Sequence, residues 1–180
     1  MEIEITKALK VLQSGGIILY PTDTIWGLGC DATNKDAINK IYTIKQRQES
    51  KALISLVSSA DMLKKHTNYI PKINISDSPT TVIYPNVTGL SYNLLADNGT
   101  AAIRIVQDEF CKKLIQALGK AIVSTSANIS GEESPNQFSE ISEHIKNNAD
   151  YIVNLQQNKT RKNPSAIIKI EEDGSITKLR

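Results

Sequence analysis

Apolar residues along the chain follow two patterns that alternate from one end to the other. Short apolar runs bounded by glycine, proline or polar residues predict buried strands, and apolar residues recurring every three or four positions predict helices. Strands are predicted at 17–20, 53–57, 81–84, 101–106, 121–125, 151–155, 166–170 and 176–179. Helices are predicted at 6–14, from a cap at Thr33 to about 45–47, at 60–66, at 109–118 and around 138–145.

This order of elements predicts the fold class and the domain organisation. Strands that alternate with helices, together with a hairpin signal at Asp173-Gly174, indicate a twisted mixed β-sheet with flanking helices. The 180 residues are enough for one domain with a sizeable core. We therefore expect a single α/β domain over residues 1–180.

Composition narrows the class of protein further. Hydrophobic residues make up 40% of the chain and charged residues 22%, which argues against disorder, and no apolar run approaches the roughly 20 residues of a membrane span. Cys30 and Cys111 form no CxxC motif, and with only His66 and His144 a protein-held metal is not expected. The acids in residues 1–5 are unlike a signal peptide. We expect a cytoplasmic protein with reduced thiols and no membrane contact.

The segment 20–32 follows the first predicted strand and concentrates small polar groups. Pro21 ends regular strand pairing, and the segment then places hydroxyls, a carboxylate, the single tryptophan and two glycines at Thr22, Asp23, Thr24, Trp26, Gly27 and Gly29. Such segments are where α/β sheets bind ligands, although a plain strand-to-helix turn explains the glycines equally well. A dinucleotide fingerprint is disfavoured because its glycines follow the strand directly, whereas here Pro21 and further residues intervene.

Three other features are candidates for chemistry. Lys45, Arg47 and Lys51 put three cations near the end of the second helix, as either a solvated helix end or a phosphate site. The hydroxyl-rich stretch 124–134 follows a strand and is either a generic serine-rich loop or a set of neutral donors for an anion. Arg104 lies inside an apolar strand, so it must pair with a protein acid or an anionic ligand.

Several of these motifs occur in an order that resembles a known family, the YrdC-like L-threonylcarbamoyladenylate synthases in their short single-domain form. The resemblance extends from about residue 15 to residue 180. It is carried by Tyr20-Pro-Thr-Asp-Thr24, Gly27-Leu-Gly29, Asp31-Ala32, Lys45-x-Arg47, Ser126-Ala-Asn128-x-Ser-Gly131 and Pro164-Ser165. It implies a domain with an open, basic central cleft.

The resemblance also implies a reaction. Such enzymes condense L-threonine, bicarbonate or carbon dioxide, and ATP into threonylcarbamoyl-AMP and pyrophosphate, with Mg²⁺ on the ATP. Partner proteins then transfer the threonylcarbamoyl group to adenosine 37 of tRNAs that read ANN codons, and weak direct binding of tRNA is part of this expectation. No Gly-x-Ser-x-Gly motif or Cys/His pairing marks an enzyme nucleophile, and this reaction needs none.

The resemblance assigns roles to individual residues. The catalytic set is Lys45, Arg47, Ser126 and Asn128. ATP contacts are implied for Arg47, Lys51, Ser126, Asn128, Ser134 and Arg180. Threonine contacts are implied for Thr24, Arg104, Ser124 and Ser165. The chain departs from many relatives at Gln48 and Leu56, where they have Pro and His, so one threonine contact of those relatives is missing.

Two other functions remain open from the sequence. One is a non-enzymatic module on the same fold that binds double-stranded RNA or tRNA through a basic groove, although aromatic residues, at 5%, supply few stacking platforms. The other is adenylation of a different carbamate. The polar segment 156–163 is the best candidate for a mobile loop, and the sequence leaves open whether it closes over the site.

Overall fold

The computed structural model of the chain describes residues 1–46, 53–70, 78–161 and 163–180. Within these residues nine strands form one sheet, in the order β7-β1-β2-β6-β3-β5-β4-β8-β9. The strands are Ile18–Tyr20 (β1), Gly27–Gly29 (β2), Ile54–Val57 (β3), Thr80–Tyr84 (β4), Ala101–Ile105 (β5), Ile122–Ser126 (β6), Tyr151–Ile152 (β7), Ala166–Ile170 (β8) and Ile176–Lys178 (β9). The helices are Glu2–Gln13 (α1), Lys35–Ile44 (α2), Ala60–Leu63 (α3), Glu109–Leu118 (α4) and Glu143–Asn147 (α5), with 3-10 turns at Tyr92–Leu94 and Phe138–Glu140.

The sheet is mixed, as the sequence predicts. β1 with β7, β3 with β5, and β4 with β8 run parallel, whereas the other neighbouring pairs run antiparallel. The α/β fold class is therefore confirmed. Among the helices within the described residues, none has the length and apolar character that a membrane span requires.

Local side-chain chemistry sets the helix ends. Asp108 caps α4 by accepting a hydrogen bond from the Cys111 N–H, and Gly119 ends the helix with a φ of 72°, the left-handed conformation that favours glycine. The predicted cap of α2 is wrong by one residue: Asn34 caps this helix, with its Oδ1 accepting from the Ala37 N–H. The Thr33 hydroxyl donates instead to Asp31 Oδ1 at 2.7 Å.

The two glycines of segment 20–32 form a strand rather than a turn. β2 pairs antiparallel with β1 on one side and with β6 on the other. A Cβ on Gly29 would lie 2.5 Å from the Val123 carbonyl oxygen and 2.6 Å from the Tyr20 ring. Glycine is thus required at position 29 because a neighbouring strand and an aromatic ring approach closely.

The helix predicted around 138–145 is also wrong. A 3-10 turn at Phe138–Glu140 is followed by Ile141 in extended conformation, and α5 begins only after Ser142, whose Oγ accepts from the Ile145 N–H. Apolar residues at 138, 141 and 145 fit a continuous helix equally well, so their spacing does not reveal the interruption.

Glu4 joins α1 to the edge of the sheet at β7. Its Oε2 accepts hydrogen bonds from the Tyr151 hydroxyl and the Asn154 N–H, both at 2.7 Å. Burial raises the pKa of Glu4, but these hydrogen bonds and nearby positive charges outweigh that effect and leave its pKa below the usual range. Burial and the contact with Glu4 raise the pKa of Tyr151 to about 12, so this hydroxyl remains a donor at neutral pH.

Replacing Glu4 with glutamine should lower the free energy of unfolding by about 1–3 kcal/mol at pH 7, the scale for hydrogen bonds to a charged group. Because the folded-state pKa is lowered, the contribution of Glu4 is present above its unfolded value of about 4.3 and is lost as the pH falls through the folded value. Urea unfolding of both proteins at pH 7 and near pH 3 measures the difference. The exposed Glu172, in the turn between β8 and β9, supplies the matched Glu→Gln control, and an equal loss in that control would contradict a specific role for Glu4.

Candidate active site

A cavity of about 350 Å³ lies over one face of the sheet and crosses its central strands. Strand register builds its floor, because Ser124 of β6, Ile54 of β3, Ala102 of β5 and Ile83 of β4 are successive cross-strand partners and all line the cavity. Side chains two residues apart on a strand share a face. Arg104, two residues beyond Ala102, therefore faces the same cavity.

Most of the residues predicted to contact substrates come together here. All four predicted threonine contacts and three of the predicted ATP contacts line the cavity: Thr24, Arg104, Ser124, Ser165, Ser126, Ser134 and Arg180. They come from four separate parts of the chain, namely the segment before β2, the strand β5, the end of β6 with its following loop, and the two ends of the β8–β9 hairpin. The sequence therefore predicted much of the lining without the fold that assembles it.

Arg104 is the most constrained charge in the cavity. Its side chain is 3% exposed, and its Nη2 lies 3.0 Å from Oδ1 of Asp23, which is 7% exposed. Asp23 is held in turn by the Gln107 N–H, which donates to Oδ2 at 2.8 Å. Among the residues described, Nε of Arg104 has no hydrogen-bond partner. Sequence reasoning left open whether a protein acid or a ligand would pair with Arg104; Asp23 is that acid, and it leaves part of the guanidinium unsatisfied.

Two pairs of hydroxyls hold opposite sides of the cavity. Thr24 Oγ1 lies 3.0 Å from Thr22 Oγ1, and the Thr22 hydroxyl donates to the Ile25 carbonyl oxygen at 2.8 Å. Across the cavity, Ser165 Oγ and Thr81 Oγ1 lie 2.8 Å apart in a buried contact. Thr81 was missed from the sequence, where it only marked the start of a strand. Its position opposite Ile167 in the parallel β4–β8 pair places it beside Ser165.

The terminal arginine is fixed at the rim of the cavity. Arg180 donates from Nε and Nη2 to the Ser165 carbonyl oxygen, at 3.2 and 3.0 Å. Its backbone N–H and carbonyl oxygen both pair with Ile167 at 3.1 Å. Arg180, a predicted ATP contact, is therefore hydrogen-bonded directly to Ser165, a predicted threonine contact. The predicted nucleotide and threonine parts of the cavity adjoin at these two residues.

Lys45 occupies a different environment from the one its sequence context indicates. Of the two alternatives for the cations at the end of α2, a solvated helix end does not hold for Lys45, since the residue is only 1% exposed. Its Nζ donates to the carbonyl oxygens of Ser126 and Asn128, both at 2.5 Å, and its own carbonyl oxygen accepts from the Ser130 N–H. Lys45 does not line the cavity. Its hydrogen bonds join the end of α2 to the loop after β6. The catalytic role of Lys45 stays a prediction.

Asn128 lies beside a second, smaller cavity of about 200 Å³. Its Nδ2 donates to the carbonyl oxygens of Ile129 and Glu132, whereas its buried Oδ1 has no partner within the described part of the chain. Ser134 lines both this cavity and the larger one, so the two adjoin there. Asn128 and Ser126 are thus on neighbouring cavities rather than in a single one.

Comparison with known proteins decides the family. A family model, Sua5_yciO_yrdC with the description "Telomere recombination", matches residues 10–180. The chain belongs to the Sua5/YciO/YrdC family. A threonylcarbamoyl-AMP synthase of Psychromonas ingrahamii is 33% identical over 153 residues, which are 81% of this chain and 80% of the relative. The prediction of a nucleotidyltransferase-type enzyme is confirmed by such relatives.

Solved structures of the Sua5/YciO/YrdC family share the fold. E. coli YciO aligns with a TM-score of 0.84 and 23% identity, over 100% of this chain and 89% of YciO. P. abyssi Sua5 complexed with L-threonine aligns with a TM-score of 0.81 and 24% identity, over 94% of this chain. The chain spans 51% of that Sua5 chain.

Some family positions cannot be placed in the cavity. Arg47, Lys51 and Gln48 lie outside the described residues, so their predicted roles rest on the sequence alone. Leu56, where many relatives have His, is fully buried and is the cross-strand partner of Arg104. The apolar side chain therefore adds packing beside the arginine and no donor for a ligand.

The cysteines do not supply a nucleophile to this family site. Cys30 and Cys111 are buried free thiols, and neither lines the cavity. Burial raises the pKa of both thiols, with nearby carboxylates adding to the effect, so they remain protonated at neutral pH. The arrangement fits a reaction in which the substrates supply nucleophile and leaving group and the enzyme positions them.

The donors of the cavity favour anions over a protein-held metal. Its described lining contains two arginines and several hydroxyls but no Asp or Glu. Within the described residues, no three His, Cys, Asp or Glu side chains cluster closely enough to hold a metal ion.

Proposed function

We propose that this member of the Sua5/YciO/YrdC family is a threonylcarbamoyl-AMP synthase. It condenses L-threonine, bicarbonate or carbon dioxide, and ATP into threonylcarbamoyl-AMP and pyrophosphate. The observation that carries the proposal is Arg104, a buried guanidinium with an unsatisfied Nε that lines a hydroxyl-rich cavity. A buried unsatisfied charged donor is costly, and a ligand carboxylate would satisfy it with the fork geometry that arginine prefers.

The amino acid is proposed to lie over the floor of the sheet. Arg104 holds its carboxylate, while Thr24, Ser124 and Ser165 supply hydroxyls around its amine and side chain. The names of the relatives and the Sua5 complex with L-threonine support threonine as the amino acid. Neutral hydroxyls and one arginine suit a small zwitterion better than a nucleic-acid backbone, which several cations would bind.

ATP is proposed to bind along the adjoining edge, where Ser126, Ser134 and Arg180 line the cavity. Arg47 and Lys51 are proposed to bind the phosphates, and Asn128 the nucleotide from the adjoining cavity. Mg²⁺ bound to the triphosphate would neutralise charge on the phosphate oxygens. The serine hydroxyls and the arginine at this edge can donate hydrogen bonds to phosphate oxygens. No carboxylate in the described lining would repel those oxygens.

The proposed reaction takes place in two steps between substrates that the enzyme holds side by side. The amine of threonine attacks carbon dioxide and loses a proton to give a carbamate. A carbamate oxygen attacks the α-phosphorus, and the bond between that phosphorus and the pyrophosphate oxygen breaks. The enzyme contributes orientation and positive charge near the transferring phosphoryl group.

The product is proposed to serve other proteins that modify adenosine 37 of ANN-decoding tRNAs. A cytoplasmic location belongs to the same proposal, because ATP and tRNA are both present there. Direct contact with tRNA is not required for the reaction itself.

Pyrophosphate release tests the proposed activity. The purified protein with ATP, Mg²⁺, bicarbonate and L-threonine should release pyrophosphate, and omission of either bicarbonate or threonine should reduce release to background. L-Serine in place of L-threonine should give a clearly lower rate. Release that does not depend on threonine would contradict the proposal, and tight tRNA binding without turnover would favour the RNA-binding alternative. Release that requires a different amine would favour another carbamate.

A further inference from the structure

We propose that Asp23 is a positioning residue that holds the Arg104 guanidinium in the orientation required to bind a substrate carboxylate. This inference rests on the proposed function, since it concerns the same cavity. Asp23 does not line the cavity itself. It therefore acts through Arg104 and not by contact with the ligand.

The first step of the argument is that Asp23 contacts one part of the guanidinium only. Its Oδ1 approaches Nη2 at 3.0 Å, yet this oxygen makes no aligned hydrogen bond within the described residues. The contact is an ion pair at one end of the fork. Nε, a different nitrogen of the same planar group, is left without a partner among the residues described.

The second step is that Asp23 is itself immobilised. The Gln107 N–H donates to Oδ2 at 2.8 Å, and Gln107 follows β5, the strand that carries Arg104. Asp23 thus connects the segment after β1 to the end of β5. Because Oδ2 is hydrogen-bonded, Oδ1 forms the ion pair and both side chains are buried, the carboxylate restricts the movement of the guanidinium.

The third step concerns charge. An unpaired buried guanidinium would carry a large desolvation cost, and Asp23 offsets this cost before the ligand arrives. A ligand carboxylate then binds to an arginine that is already oriented, so less ordering is required on binding. A carboxylate that merely competed with the ligand for Arg104 would have the opposite effect on affinity.

The test measures L-threonine binding through the fluorescence of Trp26, the single tryptophan, which lines the cavity. Asp23→Ala should weaken L-threonine binding about 10- to 100-fold, the scale for loss of a charge-assisted contact. Asp23→Asn retains one oxygen, which can either face Nη2 or accept from the Gln107 N–H but cannot do both, so it should give an intermediate loss. Affinity equal to or tighter than wild type in Asp23→Asn would overturn the proposal.

A second ligand separates positioning from general damage. L-Threonine amide lacks the carboxylate, so the Asp23 substitutions should change its affinity by less than about twofold. Equal losses for threonine and its amide would show a merely structural role and overturn the proposal. If Asp23→Ala fails to fold, the Asp23→Asn comparison with the two ligands decides alone.

Asp150→Asn is the matched control, because Asp150 also accepts a backbone N–H, from Ile17 at 2.7 Å, at a site outside the cavity. Asp150→Asn should leave the affinity for L-threonine unchanged.

The binding measurement also distinguishes the Asp23 inference from the proposed function. Absent turnover with intact, Asp23-dependent threonine binding would contradict the proposed reaction alone, whereas full turnover with unaltered threonine affinity in the variants would contradict the Asp23 inference alone.

Discussion

Replacing Arg104 with lysine should raise the KM for L-threonine about 100-fold while changing the KM for ATP less than about threefold. Lysine keeps a positive charge opposite Asp23, but its ammonium cannot present two parallel N–H groups to a second carboxylate. The expected loss corresponds to about 2–3 kcal/mol, the upper range for a hydrogen bond to a charged group. Steady-state kinetics with each substrate varied in turn measures the split.

Arg161→Lys is the matched control for Arg104→Lys. Arg161 is also mostly buried, with its side chain 15% exposed, but it contacts Gln156 and does not line the cavity. Its KM for threonine should stay within about threefold of wild type. An unchanged threonine KM in Arg104→Lys, with the thermal transition of the protein intact, would show that this arginine does not hold the carboxylate.

Replacing Lys45 with methionine should lower the free energy of unfolding by about 3 kcal/mol and reduce turnover about 100-fold. The substitution keeps an unbranched apolar side chain as long as the lysine stem but removes the ammonium that donates to the carbonyl oxygens of Ser126 and Asn128. Hydrogen bonds from a charged group contribute about 1.5–3 kcal/mol each, and partial relaxation of the loop reduces their sum. A displacement of about 1 Å in a substrate-positioning loop is enough for a 100-fold loss of rate.

The loss of turnover must be measured where the variant is folded. Unfolding in urea gives the stability, and the pyrophosphate assay is run well below the thermal transition of the variant. Lys120→Met is the control, since the Lys120 ammonium pairs with Asp31 at 2.8 Å but its side chain is 51% exposed. Wild-type turnover in folded Lys45→Met would rule out both a positioning and a catalytic role for Lys45.

Much of the cavity lining was predictable because it coincides with short polar motifs that can be identified in the sequence. Thr24 follows the first predicted strand, Ser124 lies within another, and Ser165 directly precedes a third. What the sequence does not contain is the order of strands across the sheet. Thr81 becomes a neighbour of Ser165 only because β4 and β8 pair in parallel, 84 residues apart.

Two further differences arose because sequence distance does not predict which buried groups meet. Lys45 follows an amphipathic helix and has the context of a solvated cation, yet the carbonyl oxygens that bind it lie 81 and 83 residues away. The composition of the segment around the β2 glycines is typical of a turn, but Gly29 is required because a side chain there would clash with its neighbours. Tyr20 and the β6 backbone occupy the space that any Cβ on Gly29 would need.

The pairing of Asp23 with Arg104 could not be predicted from the sequence either. The sequence indicated that Arg104 requires an anion but offered no means of choosing between a protein acid and a ligand. The fold places Asp23 against one end of the guanidinium and leaves Nε without a partner among the described residues. Arg104 therefore has a protein partner that lies outside the cavity lining, and it keeps an unfilled donor for a ligand.

Incorporation of labelled bicarbonate is the most direct test of the central proposal. The protein is incubated with ¹⁴C-bicarbonate, L-threonine, ATP and Mg²⁺, and AMP adducts are separated and identified by mass. The account predicts an adduct that contains AMP, threonine and one labelled carbon, formed in step with pyrophosphate. An unlabelled threonyl-AMP, or no adduct from folded protein that binds threonine and ATP, would contradict it.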